Sequence, residues 1–564
     1  MLITKLEKLT ITETKIKNII KKINQKVKEL QEETNTIKQI NIIDEISTER
    51  NHYLTLYWAS YIGYLKNITD EKYLKSEEII AKYDGEYNNS IYKMYEVISS
   101  LDNKDKLIEK YGKRFLAIAN NQKILLSKNT ELRQKELELR KKYRKILNSP
   151  KVKFNDEEIS LTRLTKYLQS DIEAERIESH NLRYEELLKI SDELENIFKE
   201  LLEVRKEIAI KTNFSNFYEH EFIKMNRIDY NKDDLASFTK QIIKYFVPLR
   251  EKLKLAQTKR LGEEKLSYYN SSILFKNGNA KTEYDLHGIE QELEKILEKL
   301  SPEFSSLYND MNKNGMIDLE ERENKSAGGI TTFLPDYKYP IFIKRYINNS
   351  NNFTVLAHEF GHSLQLYYNK EKHLHENRWP TFDICEIHST TMELLVNDNS
   401  ESVFKEDTTK HLISHFTSII ELLIRTTCVN EFQTKIYSED NLDINKTWKE
   451  IYKKYYPTND YDIDYFNKGI MWQADINRID DPFYGIDYAL AAFYALLFYK
   501  NYKETPSNTI NQFIDFCKIG GEISFKEIAE KYNFNSPFEE ETHQRLADFL
   551  SEKIEELLEV LVTE

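Results

Sequence analysis

The stretch IKNIIKKINQKVKEL, residues 16–30, indicates the fold class of this 564-residue chain. Its apolar residues recur every three or four positions, at Ile16, Ile19, Ile20, Ile23, Val27 and Leu30. This spacing predicts an amphipathic α-helix, because such positions share one helix face. Similar patterns run from Ile79 to Leu147 and from Leu182 to Ile210. The spacing drifts and loops interrupt it, so we expect packed helical hairpins rather than a coiled coil over residues 1–210.

The composition agrees with a mainly α protein. Glycine and proline contribute only 14 and 10 residues, too few turn formers for the many short strands of an all-β fold. The 37 tyrosines and 28 phenylalanines argue against disorder. The net charge of −13 argues against nucleic acid as a partner. The basic run at 140–145 is flanked by glutamates and is interpreted as a solvated helix face.

Cysteine content and hydropathy suggest a location. The three cysteines lie far apart in the sequence, so no disulfide framework is predicted. The first residues contain no apolar signal segment, and we find no run of 18 apolar residues. We therefore expect a cytoplasmic protein without a membrane partner. The sequence does not indicate the oligomeric state.

The chain divides near a short polar stretch at 211–216. We predict an N-terminal helical domain over residues 1–210 and a second, chemistry-bearing domain over 211–564. Within the latter, the segment from Ile330 to Tyr346 follows a glycine pair and is rich in β-branched and aromatic residues, which predicts strand. Helical patterning resumes after it.

The sharpest chemical signal is His358-Glu359-Phe360-Gly361-His362, an HExxH pentapeptide. On a helix, His358 and His362 project from one face and can bind one Zn²⁺ ion. Glu359 is then placed to act as general base toward a water on the metal. A chain of this length and histidine content contains such a motif by chance in roughly 2–3% of cases. The alternative, two unrelated histidines on a helix, therefore has to be weighed against the context.

A second predicted helix, from Asp383 to Leu395, supplies that context. Glu386 follows His362 by 24 residues, a suitable spacing for a carboxylate ligand in a His₂Glu site. The alternative is a capping box led by Asp383. Glu393 lies two turns further along the same face and can hydrogen-bond a ligand histidine. The neighbouring His388, His373 and His375 are interpreted as structural or exposed, because a fourth protein ligand would close the catalytic position.

Two tyrosines are weaker candidates. Tyr484 and Tyr488 are four residues apart on a predicted helix, so their hydroxyls can point the same way. Phenol groups can stabilise the oxyanion that forms when a peptide carbonyl is attacked. In a chain with 37 tyrosines, however, core aromatics are an equally good interpretation.

Together these segments resemble the oligoendopeptidase F branch of the thimet-oligopeptidase-like zinc peptidases, most closely the Pz-peptidase type. The resemblance covers residues 211–564 visibly. It lies in the HExxH and Glu386-Ile387-His388-Ser389 segments and in further segments: Arg227-Ile228-Asp229-Tyr230, Asp318-Leu319-Glu320-Glu321-Arg322 with Lys325, Gly328 and Gly329, Phe333-Leu334-Pro335-Asp336-Tyr337, Pro482-Phe483-Tyr484, Cys517-Lys518-Ile519-Gly520-Gly521 and Ser536-Pro537-Phe538-Glu539-Glu540.

The resemblance implies a mainly α, two-lobed helical shell around a deep substrate channel, with a small β-sheet beside the HExxH zinc helix. It implies one Zn²⁺ per chain, bound by His358, His362 and Glu386, with Glu359 as general base. The pair Gly328 and Gly329, with the strand after it, matches the edge along which a substrate peptide lies antiparallel. The implied partners are short peptides.

Two departures from the family pattern concern this region. Asn477 stands where the family has a histidine, and Gly485 where it often has a tyrosine. Asn477 can donate a hydrogen bond to a substrate but cannot carry a proton.

We therefore predict a zinc metalloendopeptidase that hydrolyses internal bonds of short oligopeptides. One alternative is an exopeptidase with the same chemistry. Another, suggested by Asn477 and Gly485, is a non-catalytic, zinc-stabilised peptide-binding protein. A helical scaffold with an accidental HExxH motif would bind no stoichiometric zinc.

Overall fold

The computed structural model describes residues 1–125, 130–326, 328–346 and 350–563. The first part of the chain forms helices α1 Ile3–Leu6, α2 Glu13–Glu32, α3 Thr36–Lys66, α4 Glu71–Ser100, α5 Lys104–Tyr111, α6 Lys113–Ile124 and α7 Thr130–Leu147. Then come strands β1 Lys151–Phe154 and β2 Glu157–Ser160 and helices α8 Leu161–Leu164, α9 Glu173–Lys211, α10 Phe217–Lys224, α11 Lys232–Gln241, α12 Val247–Leu261, α13 Leu286–Leu300 and α14 Pro302–Asn314.

The remaining elements surround the HExxH motif. Three strands come first: β3 Ile317–Asp318, β4 Gly329–Leu334 and β5 Tyr339–Lys344. They are followed by α15 Ser350–Tyr368, α16 His375–Arg378, α17 Phe382–Asn397, α18 Glu401–Phe404, α19 Thr408–Ser438, α20 Ile444–Tyr455, α21 Asp464–Asn467, α22 Ile476–Asp480, α23 Gly485–Glu504, α24 Pro506–Ile519, α25 Glu527–Tyr532 and α26 Glu540–Thr563. The predicted mainly α architecture with a small sheet beside the HExxH helix is confirmed.

The N-terminal helices pack around a core of their own. The apolar face predicted for residues 16–30 is buried, with Ile16, Ile23 and Leu30 fully inaccessible to solvent. It packs with apolar residues of α3, α4 and α6. Thr12 caps α2 by accepting a hydrogen bond from the Lys15 amide. Burial of the apolar stripe therefore accounts for this helical region.

One part of the predicted helical region is wrong. Strands β1 and β2 form an antiparallel hairpin. Its turn residues Asn155 and Asp156 have φ of 50° and 61°. Asn and Asp tolerate this left-handed conformation, which suits a tight hairpin turn. The hairpin packs against Tyr465 and Ile470, about 300 residues away in sequence, a contact that helical periodicity does not reveal.

The strand predicted over 330–346 is confirmed as two strands joined by a turn. Strand β5 lies at the centre of a three-stranded sheet, parallel to β3 and antiparallel to β4. In the described residues β4 is an edge strand, with Gly329 paired to Lys344. Both β4 and β5 pack on α15, so the sheet lies directly beside the HExxH helix.

Helices α17, α19 and α23 form the centre of the larger core. Phe493 and its neighbours in α23 are fully buried, and α17 packs closely against both α15 and α23. The segment Glu401–Ser438, which includes α19, is long and apolar enough to cross a membrane, but 61% of its most apolar window is buried inside the protein. A core helix has these properties too, so the segment is weak evidence for a membrane span.

The predicted division at residue 211 falls at the end of α9. The C-terminal half of this helix packs in the larger core, through Leu201 and Ile208 among others. The division into two domains stays a prediction.

Candidate active site

The site is built where α15 and α17 approach each other. Gly361 permits this approach, because a β-carbon there would lie 2.7 Å from both the His388 carbonyl oxygen and the Ser389 α-carbon. The HExxH motif occupies the middle of α15, and Glu386 lies in the second turn of α17. Close contact of the two helices thus brings residues 24 positions apart to one point.

Three side chains converge at this point. His358 Nε2 lies 3.2 Å from His362 Nε2, and the Glu386 Oε2 atom lies 3.3 Å and 3.5 Å from these two nitrogens. Ligand atoms at 2.0–2.1 Å from a tetrahedral ion are about 3.3–3.4 Å apart. The donor set therefore fits a tetrahedral metal ion with one further position, and the residues are those predicted as ligands.

The carboxylate of Glu386 is oriented toward the histidines and not toward a helix end. The helix begins at Phe382 after Thr381, so Asp383 lies within it and accepts a hydrogen bond from the Tyr230 hydroxyl at 2.8 Å. The capping-box alternative for Glu386 is therefore wrong. Burial raises the pKa of Glu386, but the imidazoles of His362 and His358 outweigh it and keep this pKa well below the usual range.

Each of the two histidines has a partner on its other nitrogen. Nδ1 of His358 is hydrogen-bonded to the carboxylate of Glu393, as predicted, and Glu393 also lies 3.4 Å from His415 Nε2. Nδ1 of His362 lies 3.4 Å from the Cys385 sulfur. A hydrogen on each Nδ1 leaves the Nε2 lone pairs free for a metal.

Neither Cys385 nor His415 was predicted as part of the site. Cys385 directly precedes Glu386, but nothing in its spacing singles it out. His415 lies on α19, and only the packing of α19 beside α17 brings it to Glu393.

Glu359 is half-buried beside the three donors. One of its carboxylate oxygens, Oε2, accepts a hydrogen bond of 2.5 Å from the Thr331 hydroxyl on β4. This contact leaves Oε1 available to another donor. Thr331 was not predicted, because the pairing of this strand with the helix arises only in the folded protein.

The two candidate tyrosines meet at Glu386. The Tyr484 hydroxyl lies 3.3 Å from Glu386 Oε1 and 3.0 Å from the Tyr488 hydroxyl. Burial, and after it the negative charge of Glu386, raise the pKa of both phenols above the usual range. Both tyrosines therefore stay protonated and can donate hydrogen bonds.

The other predicted residues lie around this centre. Gly328 and Gly329 are exposed at the start of the edge strand β4. Asn477 lies in α22, and its side chain is outside the described part of the structure. Gly485 begins α23, and a β-carbon there would lie 3.8 Å from Thr426.

The three histidines interpreted as structural or exposed are not among the convergent donors. His388 is buried and stacks on Phe516 at a ring distance of 4.3 Å. His373 is exposed and lies 2.8 Å from the Asp44 carbonyl oxygen. His375 begins α16.

The chain is similar in sequence to two curated peptidases. Oligopeptidase PepF of Bacillus subtilis (strain 168) is 23% identical over 282 residues, which are 48% of this chain and 41% of the relative. The Oligoendopeptidase F homolog of Borreliella burgdorferi is 23% identical over 63% of this chain and 61% of its own length. The alignments thus span less than two thirds of these curated relatives.

Similarity to a solved structure extends over nearly the whole chain. The structure of Pz peptidase A with an inhibitor is 30% identical, with a TM-score of 0.89, over 96% of this chain and 97% of that one. Residues 6–125 match the Peptidase M3 N-terminal domain, and residues 166–548 match Peptidase family M3. On these matches, the chain belongs to peptidase family M3.

Proposed function

We propose that this protein is a zinc-dependent oligoendopeptidase that hydrolyses internal bonds of short peptides. One observation carries the proposal: the donor atoms of His358, His362 and Glu386 converge within 3.5 Å of one another. Two imidazoles and one carboxylate are a donor set suited to catalytic zinc, although Mn²⁺ or Co²⁺ can occupy similar sites. When bound, zinc supplies an electrophile for the scissile carbonyl and lowers the pKa of an adjacent water to about 7.

Glu359 is the general base in this proposal. Thr331 holds its Oε2 atom, so Oε1 accepts the proton of the attacking water. The same carboxyl group then donates that proton to the nitrogen of the leaving amine. The hydrogen bond from Thr331 keeps the carboxylate in one orientation during both proton transfers, so the general base is pre-organised for reaction.

The tyrosine pair supplies hydrogen-bond donors for the developing oxyanion. A hydroxyl donates only one hydrogen, and that of Tyr484 is directed to Glu386. Tyr488 donates to the Tyr484 oxygen at rest and is free to turn toward a substrate carbonyl. Because both tyrosines are half-buried, a hydrogen bond from a phenol to the oxyanion is stronger there than in water.

The substrate peptide is proposed to lie antiparallel along the free edge of β4, beginning beside Gly328 and Gly329. Main-chain hydrogen bonds to an edge strand hold many sequences in extended form, which suits a broad specificity for peptides. The side chains of His358, His362 and Glu386 are only 19%, 11% and 6% exposed. A scissile bond must therefore be carried into the protein, which favours short, flexible chains over folded proteins.

The test is mass spectrometry of a mixed pool of peptides of about 5 to 30 residues after incubation with the zinc-loaded protein. Wild type should produce internal fragments, while Glu359→Gln should produce none and retain one zinc per chain. Glu371→Gln is the matched control, because Glu371 is an exposed carboxylate three residues beyond α15. A ladder from one terminus would show an exopeptidase. Zinc-loaded wild type that cleaves no peptide would contradict the proposal.

A further inference from the structure

A large cavity lined in part by α15 and α19 carries an excess of positive charge. Its volume is about 1160 Å³, and its walls include six lysine and arginine side chains but only two carboxylates, those of Asp171 and Glu421. Lys281 pairs with Asp171 at 2.8 Å, and Arg250 lies 3.4 Å from Glu421. The other four cations are Lys254, Arg260, Arg425 and Arg478.

Lys254 and Arg260 have no carboxylate partner. Within the described ranges, no carboxylate oxygen lies within 4.0 Å of either charged group. Lys254 is only 8% exposed, and its Nζ atom donates to neutral acceptors, the Thr458 carbonyl and hydroxyl and the Asn459 amide oxygen. All three hydrogens of this ammonium are donated to neutral oxygens, and the nearby negative charges of Glu251 and Glu421 lie beyond ion-pair distance. The positive charge of Lys254 can therefore still attract an anionic ligand to this part of the cavity.

Arg478 is also incompletely satisfied. It shares Asp475 with Arg425, at 3.1 Å and 3.7 Å, while its buried NH1 group has no hydrogen-bond partner in the described structure. Burial, followed by the charge of Arg250, lowers the pKa of Lys254 to about 8, so this ammonium is still charged at pH 7. The cavity therefore presents several cations that lack full compensation.

The cavity shares two helices, α15 and α19, with the proposed catalytic site, but its lining includes none of the catalytic residues. Ser414, Ser418 and Arg425 share one face of α19 and line it. The same helix carries His415, which contacts Glu393, and Thr426, which lies against Gly485 next to Tyr484. Ser350 and Asn351, at the N-terminal end of α15, also line the cavity.

A substrate peptide that lies antiparallel to β4 has its C-terminal part at the N-terminal end of α15, where the cavity lies. Along β4, Thr331 contacts Glu359, and Phe333 lies beside Arg378, whose carbonyl accepts a hydrogen bond from Gln365. Strand β4 and α15 therefore run in the same sense, and Gly329 points toward the start of α15. A peptide antiparallel to β4 then extends its C-terminal residues toward the cavity.

We propose that this cavity binds a carboxylate of the substrate on the C-terminal side of the scissile bond, with Lys254 and Arg425 among its partners. The carboxylate is either the C-terminal carboxylate or an Asp or Glu side chain. The inference rests on the proposed peptidase function and adds a preference for peptides with negative charge after the cleaved bond.

The experiment compares one peptide in four forms: with a free C-terminal acid, with a C-terminal amide, and as amides with either Glu or Gln at one position after the cleaved bond. In wild type, kcat/KM should be roughly 10- to 100-fold higher for the form that carries the carboxylate, as expected for a hydrogen-bonded charge pair. Preference for the acid over the amide identifies the terminal carboxylate, and preference for Glu over Gln identifies a side chain.

Two variants link the preference to the cavity. In Lys254→Met and Arg425→Met, the ratio of kcat/KM between the forms with and without the carboxylate should fall to about threefold or less. Lys252→Met is the control and should keep the wild-type ratio, because Lys252 is an exposed residue of the same helix as Lys254 and pairs with Glu555. Arg425 is 51% exposed, so its replacement tests the proposal even if Lys254→Met fails to fold. Equal rates for all four forms, or a preference unchanged in both variants, would overturn the inference.

Measurements of peptide binding test the cavity assignment independently of the proposed peptidase activity. Fluorescence anisotropy with labelled peptides and the Glu359→Gln variant measures the same preference without hydrolysis. If wild type cleaves nothing but the carboxylate form binds Glu359→Gln more tightly, the peptidase proposal fails and the cavity assignment stands. If wild type hydrolyses all the peptide forms equally well, the peptidase proposal stands and the cavity assignment fails.

Discussion

The carboxylate of Glu393 is hydrogen-bonded to Nδ1 of His358, on the side of the imidazole opposite the Nε2 atom that faces His362 and Glu386. This contact selects the tautomer in which Nε2 carries the lone pair. It also fixes the ring plane, so that the lone pair points at the space between the three donors.

Removal of this partner should weaken metal binding without unfolding the protein. Glu393→Ala is expected to raise the zinc Kd by roughly 10- to 100-fold, and Glu393→Gln by less, since its amide oxygen can still accept from Nδ1. Competition with a chromophoric chelator measures the affinity. Glu401→Gln, on the exposed first turn of α18, serves as control. Wild-type affinity in Glu393→Ala would contradict the positioning role.

Thr331→Val should lower kcat by roughly tenfold, because a hydrogen bond to a charged group contributes about 1.5–3 kcal/mol and Glu359 would lose its fixed orientation. Zinc content and KM should stay close to wild type. Thr332→Val is the matched control, since the neighbouring side chain points to the other face of β4. An equal loss in both variants would indicate a general effect on the strand.

Substitution of the two tyrosines should have different effects on zinc affinity. Tyr488→Phe is expected to lower kcat by roughly 10- to 100-fold with unchanged zinc affinity, because it removes a donor toward the oxyanion. Tyr484→Phe should lower kcat and also weaken zinc binding, because Tyr484 donates to Glu386, a proposed zinc ligand. Steady-state kinetics and zinc competition on both variants provide the measurement. If neither substitution changes kcat, the tyrosines are core aromatics.

Gly361→Ala should separate the two helices of the site. The added β-carbon would meet the His388 carbonyl and the Ser389 α-carbon at 2.7 Å, so α15 and α17 must move apart. We expect a loss of about 1–3 kcal/mol in the free energy of unfolding, together with weaker zinc binding. Gly85→Ala is the control. A β-carbon at Gly85 would have no atom within 4 Å, and this residue lies on the exposed face of α4, so the substitution should be neutral or stabilising. Urea unfolding of both variants tests this contrast.

Zinc binding should release protons. Burial alone lowers the pKa of His362, but the neighbouring Cys385 and Glu386 raise it to about 10. In the metal-free protein this imidazole is therefore protonated at pH 7, and the proton must leave before zinc binds. Zinc affinity should fall as the pH falls below about 10, by about tenfold per pH unit for each proton released. Calorimetry in buffers of different ionisation enthalpy counts the protons. A Kd that is constant between pH 6 and 9 would contradict this.

Several features of the site could be predicted because they depend on local geometry. Spacing of four residues on a helix places His358 and His362 on one face whatever surrounds the helix. The turn at Asn155 and Asp156 shows the limit of such reasoning, since a short hairpin inside a charged helical region gives no periodic signal of its own. Its strands are stabilised by distant residues such as Tyr465.

Helix periodicity and ligand chemistry are local properties, so the mainly α class, the HExxH helix and the residue types able to hold a metal could all be predicted from the order of the residues. Three features could be seen only in the folded chain: the hydrogen bond from Thr331 to Glu359, the contacts of Cys385 with His362 and of His415 with Glu393, and the close approach of α15 and α17 at Gly361. These contacts join residues whose separation in sequence carries no information about their separation in space. They form because apolar burial, which is not directional, drives the helices into one close-packed core.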